Sequence, residues 1–411
     1  MKAKPLGPIP PGYTAKDGEL VIGGRKASVL VKEAGGTPLF VYSGEHIDRR
    51  IAELRAALPE RVGINYAIKA NPYLPIITGH MLGKVDGFDV ASSGELTHLL
   101  GAGIGASKIS FAGPGKRDDE LEAAISAGAT LNCESEVEAT RALDIAGRLG
   151  KTPRIAIRVN PAFEIKGSGM KMGGGAKPFG VDAERVPALA QRLISAGVEW
   201  RGLHIFTGSQ ALSADAISDS QDNILRLADE LSQDIGAALP KLNMGGGFGI
   251  PYFPGDEALD LSKVGTSLAE LLADVPASLK ETELCLELGR YLVGEAGVYL
   301  CRIVDRKESH GVTFLVTDGG LHHQLAASGN FGTVVRRNYP LAIATRFDEP
   351  ASEIANVVGC LCTPLDRLAD LAELPHAEVG DLVAVFCAGA YGATASPSAF
   401  LGHGPAREML V

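Results

Sequence analysis

The chain is expected to be an α/β protein: a (β/α)8 TIM-type barrel with a C-terminal all-β domain that the N-terminal segment completes. Three observations predict this. Eight short apolar runs alternate with amphipathic stretches between Leu39 and about Leu300; each run ends in polar or glycine residues; and after Tyr299 the long helical periods stop.

The apolar runs, read as strands, cover 64–70, 87–92, 109–112, 130–134, 155–160, 202–207, 241–244 and 284–288, with helical stretches such as 51–58 and 214–236 between them. Some eight βα units in roughly 250 residues suit a closed barrel, whereas a doubly wound sheet usually stops at about five to seven strands. The runs end in Lys69, Asp89 with Ser92, Gly113, Glu134, Asn160, His204 with Ser209, Gly245 to Gly247, and Glu287 with Arg290. Barrel enzymes place their sites at the carboxyl ends of the strands, so these residues are expected to converge. Runs at 298–305, 313–318, 357–360 and 382–387, separated by close turns, read as β structure. The expected organisation is an N-terminal segment 1–38, whose strand and turn at 20–24 pair with the β domain, a barrel at 39–300 and the β domain at 301–411.

A composition 45% hydrophobic and 21% charged is globular rather than disordered. The net charge of -10 is interspersed rather than blocked, which argues against nucleic-acid or anionic-membrane partners and for a small soluble substrate. The opening segment has no apolar signal core, and no run approaches the roughly 20 apolar residues of a membrane span. A cytoplasmic location is expected. Six cysteines without a CxxC pair suggest reduced thiols rather than a zinc ribbon or disulfide scaffold, and no metal is expected.

Lys69 stands in the apolar phrase YAIKAN, where a lysine is costly to bury unless its amine is used; a desolvated lysine can form a Schiff base, and a lysine snorkelling at the barrel rim is the plain alternative. Gly245, Gly246 and Gly247 offer backbone N–H groups suited to a phosphate, or simply a tight turn. Glu287 is a carboxylate in an apolar run and needs a cation to stay ionised; a protonated pyridine nitrogen or Arg290 would serve. His204 has no second ligand at metal spacing.

The phrases YAIKAN, FDVASSGEL, HIFTGSQ, NMGGGFGIPYF, ELGRYLV, the Cys362 to Asp366 stretch and GAYG at 389–392 resemble, over nearly the whole chain, the pyridoxal-phosphate (PLP) decarboxylases of the alanine-racemase fold, the group containing the diaminopimelate and ornithine enzymes. GPGKRDDELE, KMGGGAKPFG and IFTGSQ resemble most its biosynthetic branch, with the exosortase-associated decarboxylases and the enzyme acting on glutamate held by an acyl carrier protein. The resemblance implies that Lys69 carries PLP and moves protons, that Asp89 supports it from behind, and that His204 stacks on the ring. It places Ser209 and Gly245 to Gly247 at the phosphate, Arg290 at the phosphate or substrate carboxylate, Glu287 at the pyridine nitrogen and Tyr391 beside the cofactor. Cys362 and Asp366 match a motif that reaches the neighbouring subunit's site, implying a homodimer with shared sites in which Cys362 is a proton donor.

One departure bears on substrate. Where the diaminopimelate and ornithine enzymes carry an acidic residue that receives the distal amine, this chain has Thr363; the loss of a charge-assisted contact worth about 1.5–3 kcal/mol disfavours a free diamine-type substrate. The segment holding Arg336, Arg337 and Tyr339 resembles the place where a distal carboxylate is gripped. The expectation is decarboxylation of an amino acid whose side chain is masked or tethered, as on an aminoacyl carrier protein. A diaminopimelate decarboxylase is the first alternative. An amino-acid racemase, which would set arginine against the pyridine nitrogen, and a non-catalytic PLP-binding regulatory protein are the others.

Overall fold

The computed structural model describes residues 2–165, 167, 169–329 and 337–411. The chain forms two compact units: one of residues 51–249 and 259–289, the other of residues 1–50, 250–258 and 290–411.

The first unit is a closed parallel barrel. Its strands are β1 (Val62–Ala67), β2 (Gly87–Val90), β3 (Ile109–Phe111), β4 (Thr130–Cys133), β5 (Arg154–Asn160), β6 (Glu199–Ile205), β7 (Lys241–Gly246) and β8 (Glu283–Leu288). Each pairs in parallel with the next, and β8 pairs with β1 to close the ring. These are the eight runs read from the sequence, shifted by one to three residues at their ends. A three-residue shift falls at Lys69. β1 stops at Ala67, and Ile68–Ala70 forms a 3-10 turn. That turn lifts Lys69 out of the apolar ladder, and its side chain is 46% exposed.

Helix starts after the strands are fixed by side-chain caps. Ser92 accepts from the Glu95 N–H at the start of Ser93–Gly101, and Ser135 accepts from the Glu138 N–H at the start of Glu136–Leu149. The short strand-to-helix connections hold the carboxyl ends of β2 and β4 close to their helices. Behind β4 lies a buried cation: Lys116 Nζ donates to the Gly113 carbonyl (2.8 Å), the Asn132 carbonyl (2.9 Å) and Glu138 Oε1 (2.7 Å).

The second unit is a mixed β structure. Its long strand Gly297–Ser309 pairs antiparallel with Leu39–Tyr42 and Leu382–Val385 through its first half and with Val312–Thr317 through its second. Val312–Thr317 continues to Glu353–Val358 and Arg367–Leu374, while the C-terminal Arg407–Leu410 lies parallel to Leu39–Tyr42. The N-terminal contribution therefore differs from the expected one. Glu19–Ile22 pairs with Thr14–Lys16 and Arg25–Lys26 in a separate small sheet, and the strand that enters the β unit is Leu39–Tyr42. The reason is packing: Leu20 and Ile22 join the core of Leu39, Val41, Val298, Leu300, Leu382 and Phe386 through side chains rather than a backbone ladder. No helix among the described residues is long and apolar enough to cross a membrane.

Because Lys116 and Glu138 are buried with their charges matched, Lys116→Ala is expected to destabilise the barrel by about 3–5 kcal/mol, by leaving Glu138 uncompensated. Urea unfolding followed by circular dichroism measures this; a loss under about 1 kcal/mol would mean the site tolerates the bare carboxylate.

Candidate active site

The barrel brings Lys69, Asp89, His204 and Glu287 around one cavity of about 140 Å3, lined also by Arg158, Phe179 and Phe206. Cavities of about 150 Å3 take up a benzene ring, so the space suits one aromatic ring. Glu287, on β8, is the electrostatic centre. Its Oε1 lies 3.5 Å from Lys69 Nζ and its Oε2 lies 3.0 Å from His204 Nε2. Burial alone would raise the Glu287 pKa, but the Lys69 charge, His204 and Arg158 outweigh it and hold the carboxyl well below its usual range. Asp89, on β2, moves the other way: burial and the Glu287 charge push its pKa up. Asn65 and Ser110 flank Asp89 without the alignment of an ordinary hydrogen bond, leaving both carboxylate oxygens buried and unsatisfied. One carboxyl held ionised beside another that favours its proton is a division of labour typical of acid–base sites.

Arg158 and Glu134 close one side of the cavity. Arg158 Nη1 is 2.9 Å from Glu134 Oε1, both buried, and its guanidinium covers the Phe179 ring at 5.0 Å. Glu134 also accepts from the backbone N–H groups of Gly113 and Gly180, tying three strand-end loops to one carboxylate. Reading single runs passed over Arg158, although a charge within the apolar run 155–160 was the available signal.

Ser209 and the glycine loop meet through backbone. The Ala211 N–H donates to the Gly247 carbonyl (2.9 Å), and a Cβ on Gly246 or Gly247 would overlap the carbonyl oxygens of Glu287 or Gly208. Gly245 and Gly247 also hold φ of +66° and +76°, so glycine is required here by backbone approach and by conformation. The Gly245 N–H is already engaged by Asn243 Oδ1 at 2.9 Å.

In the second unit Arg290 begins the turn after β8. Its Nη1 donates to the Tyr252 hydroxyl at 2.8 Å, and its guanidinium lies 5.4 Å from the Tyr252 ring centre and 4.8 Å from that of Tyr391. Tyr339 packs on Tyr252 at 4.8 Å, and Arg337 covers the Phe253 ring at 3.8 Å. The sequence candidates Arg290, Arg337, Tyr339 and Tyr391 thus share an aromatic cluster whose organiser, Tyr252-Phe253, was not among them. Arg290 Nε is buried without a partner, and no acidic side chain among the described residues pairs with it. A buried, unmatched guanidinium suits an anion. Arg336 lies outside the described residues.

Cys362 is exposed on the loop 359–366, and Thr363 Oγ1 accepts from the Leu365 N–H. Asp366 is turned inward: its carboxylate accepts from the N–H groups of Leu321 (2.6 Å) and Leu361 (2.8 Å), and only glycine fits beside it at 320 and 359. Within this chain it anchors the loop.

Residues 44–294 match the family described as pyridoxal-dependent decarboxylase, pyridoxal binding domain. The chain belongs to this decarboxylase family. It is 35% identical over 380 residues to L-glutamyl-[BtrI acyl-carrier protein] decarboxylase of Niallia circulans, covering 91% of this chain and 88% of that protein. It is 34% identical to the diaminopimelate decarboxylase of Aquifex aeolicus, covering 92% and 87%. Its fold matches that of diaminopimelate decarboxylase from M. jannaschii in complex with L-lysine with a TM-score of 0.81 at 26% identity, covering 97% of this chain and 92% of that one.

The chain is thus a PLP-dependent carboxy-lyase, and the residues of its barrel fit that cofactor: a ring-sized cavity, a buried ionised carboxylate and an amine 3.5 Å from it.

The Asp89 shift has a signed consequence. A carboxyl whose pKa is raised on folding holds its proton better in the folded state, so stability is full below the unfolded value of about 3.9 and falls as pH rises toward the folded value. In the cofactor-free protein, Asp89→Asn should remove a decline of up to about 1.4 kcal/mol per pH unit. Urea midpoints measured between about pH 5 and 8 test it; equal slopes in both proteins would show that Asp89 is not protonated on folding.

Proposed function

We propose that this decarboxylase removes the α-carboxylate of an amino acid whose side chain is masked, most specifically an aminoacyl group carried on a carrier protein. The observation that carries this reading is the loop 359–366: it offers Thr363 where a free distal ammonium needs a carboxylate, and its one acid, Asp366, is spent on backbone N–H groups. An unmasked ammonium would be left without a charged partner there. The relative acting on glutamate bound to a carrier protein supports the same choice.

In this reading Lys69 holds the cofactor and then carries a proton at the reacting carbon, while Ser209 and the glycine loop hold its phosphate. PLP supplies the electron sink for the pair left when carbon dioxide departs. Glu287, already ionised, would hold the pyridine nitrogen and favour its protonated form. Asp89 sits behind Glu287 in protonated form and adds no second negative charge. His204 stacks on the ring, and Phe206 and Phe179 exclude water, which strengthens each of these charge contacts. Arg290, between Tyr252 and Tyr391, takes an anionic group, the phosphate or the substrate carboxylate. Arg337 and Tyr339 contribute to the substrate side. Cys362, exposed in its own chain, completes the site of a second protomer and returns the proton, so the active form is a homodimer.

Carbon dioxide release is expected from glutamyl and related aminoacyl groups loaded on a carrier protein, at least about a hundredfold faster in kcat/KM than from free diaminopimelate, ornithine, lysine, arginine or glutamate. Efficient turnover of free diaminopimelate would instead make this an enzyme of the diaminopimelate type. Shared sites predict complementation: mixing inactive Lys69→Ala and Cys362→Ala proteins under subunit exchange should restore about a quarter of wild-type activity, because half the sites of the mixed dimer are intact. No recovery, with exchange confirmed by mass spectrometry, would place Cys362 in its own chain's site or outside catalysis.

A further inference from the structure

His322, Cys360 and His403 lie far apart in the sequence, yet the β unit brings one donor atom of each within 4.8 Å of the others. Cys360 Sγ stands 3.9 Å from His403 Nε2 and 4.0 Å from its Nδ1, and the His322 and His403 rings are 5.0 Å apart, centre to centre. We propose that these three residues bind a divalent transition metal, Zn2+ by the chemistry of the set, with a fourth position open to water or an exchangeable ligand. None of the three residues lines the barrel cavity, and the proposal does not depend on the substrate assigned above.

The first support is an unmet demand. His322 is fully buried, and neither ring nitrogen has a hydrogen-bond partner among the described residues. A buried imidazole is normally satisfied, so two orphaned nitrogens facing a thiol and a second imidazole call for a ligand. A bound anion would need donors from charged groups, whereas this cluster offers two imidazoles and a sulfur, the borderline-soft set that Zn2+ prefers.

The second support is how the loop carrying His403 is held. His323 donates from Nε2 to the Gly404 carbonyl at 2.9 Å, and its Nδ1 lies 3.0 Å from the Tyr299 hydroxyl, which fixes its tautomer. His323 therefore uses both nitrogens on the protein and is a positioning residue rather than a ligand, the outer-sphere arrangement common around metal sites. Around a tetrahedral ion such donors stand about 3.3–3.5 Å apart, so spacings of up to 4.8 Å need closing by at most about 1.5 Å, and His403, exposed on its loop, can supply that movement. On binding, the metal displaces the Cys360 thiol proton to water; no oxidant or reductant takes part.

The test uses the full-length, PLP-loaded protein freed of metals with a chelator, incubated with Zn2+ and desalted. Elemental analysis should find about one Zn2+ per chain in the wild type and in His376→Ala, a histidine outside the cluster. His322→Ala, Cys360→Ser and His403→Ala should each lose at least about tenfold in affinity. His403→Ala reports on the site even if the buried variants fail to fold, because its side chain is exposed. Cobalt absorption adds a reading on the wild type alone: Co2+ should give sulfur-to-metal charge transfer and the intense visible bands of tetrahedral coordination. Absence of retained Zn2+, retention undiminished in His403→Ala, or octahedral Co2+ spectra would each overturn the proposal.

Discussion

A carboxylate kept ionised at the floor of a barrel mouth is the constraint on which the site depends. Glu287 on β8 is buried, and a buried carboxylate survives as an anion only with cations around it. The fold supplies Lys69 from the turn after β1 and Arg158 from β5, and His204 from the end of β6 adds a contact to the carboxylate at 3.0 Å. Barrel closure is what places these strand ends around one carboxylate, since β8 pairs directly with β1. Burial, with the Glu287 charge added to it, pushes the Asp89 pKa up.

The surrounding structure holds this arrangement at some cost. Asp89 and His204 carry buried polar atoms without aligned partners, and the glycine loop demands left-handed backbone at two positions. Unsatisfied groups of this kind are tolerated where function uses them, provided that neighbouring elements are over-determined. Here the Glu134 hub, the Lys116–Glu138 pair and the serine-capped helices provide that rigidity. In the second unit, Arg290 is kept in place by aromatic rings rather than by an acid, which leaves its charge free for an anion.

Much of this was legible in the sequence because barrel strands are apolar on both faces. A charge in such a run announces itself, which is how Lys69 and Glu287 were found and how Arg158 could have been. What the strand pattern could not show is how a run ends. Lys69 reads as strand, but a 3-10 turn carries no periodic signal, and that turn is what presents its amine. Partners brought together by topology were equally hidden: Arg290 joins Tyr252 to Tyr391 across more than a hundred residues of chain, and His322, Cys360 and His403 converge without any spacing motif. The inward turn of Asp366 onto the Leu321 and Leu361 N–H groups was hidden as well, since a motif aspartate says nothing about which way its carboxylate points. The N-terminal strand was misplaced for a related reason: Leu20 and Ile22 pack into the β core through side chains, while hydrogen bonding falls to Leu39–Tyr42.

The central claim is that Lys69, beside Glu287 and His204, holds the cofactor. Borohydride reduction of the PLP-loaded enzyme, followed by peptide mass mapping, tests it most directly, because reduction fixes the cofactor to whichever amine carries it. Pyridoxyl label is expected on the peptide containing Lys69 and is expected to be lost in Lys69→Arg. Label on another lysine, or PLP retained with no reducible linkage, would contradict it.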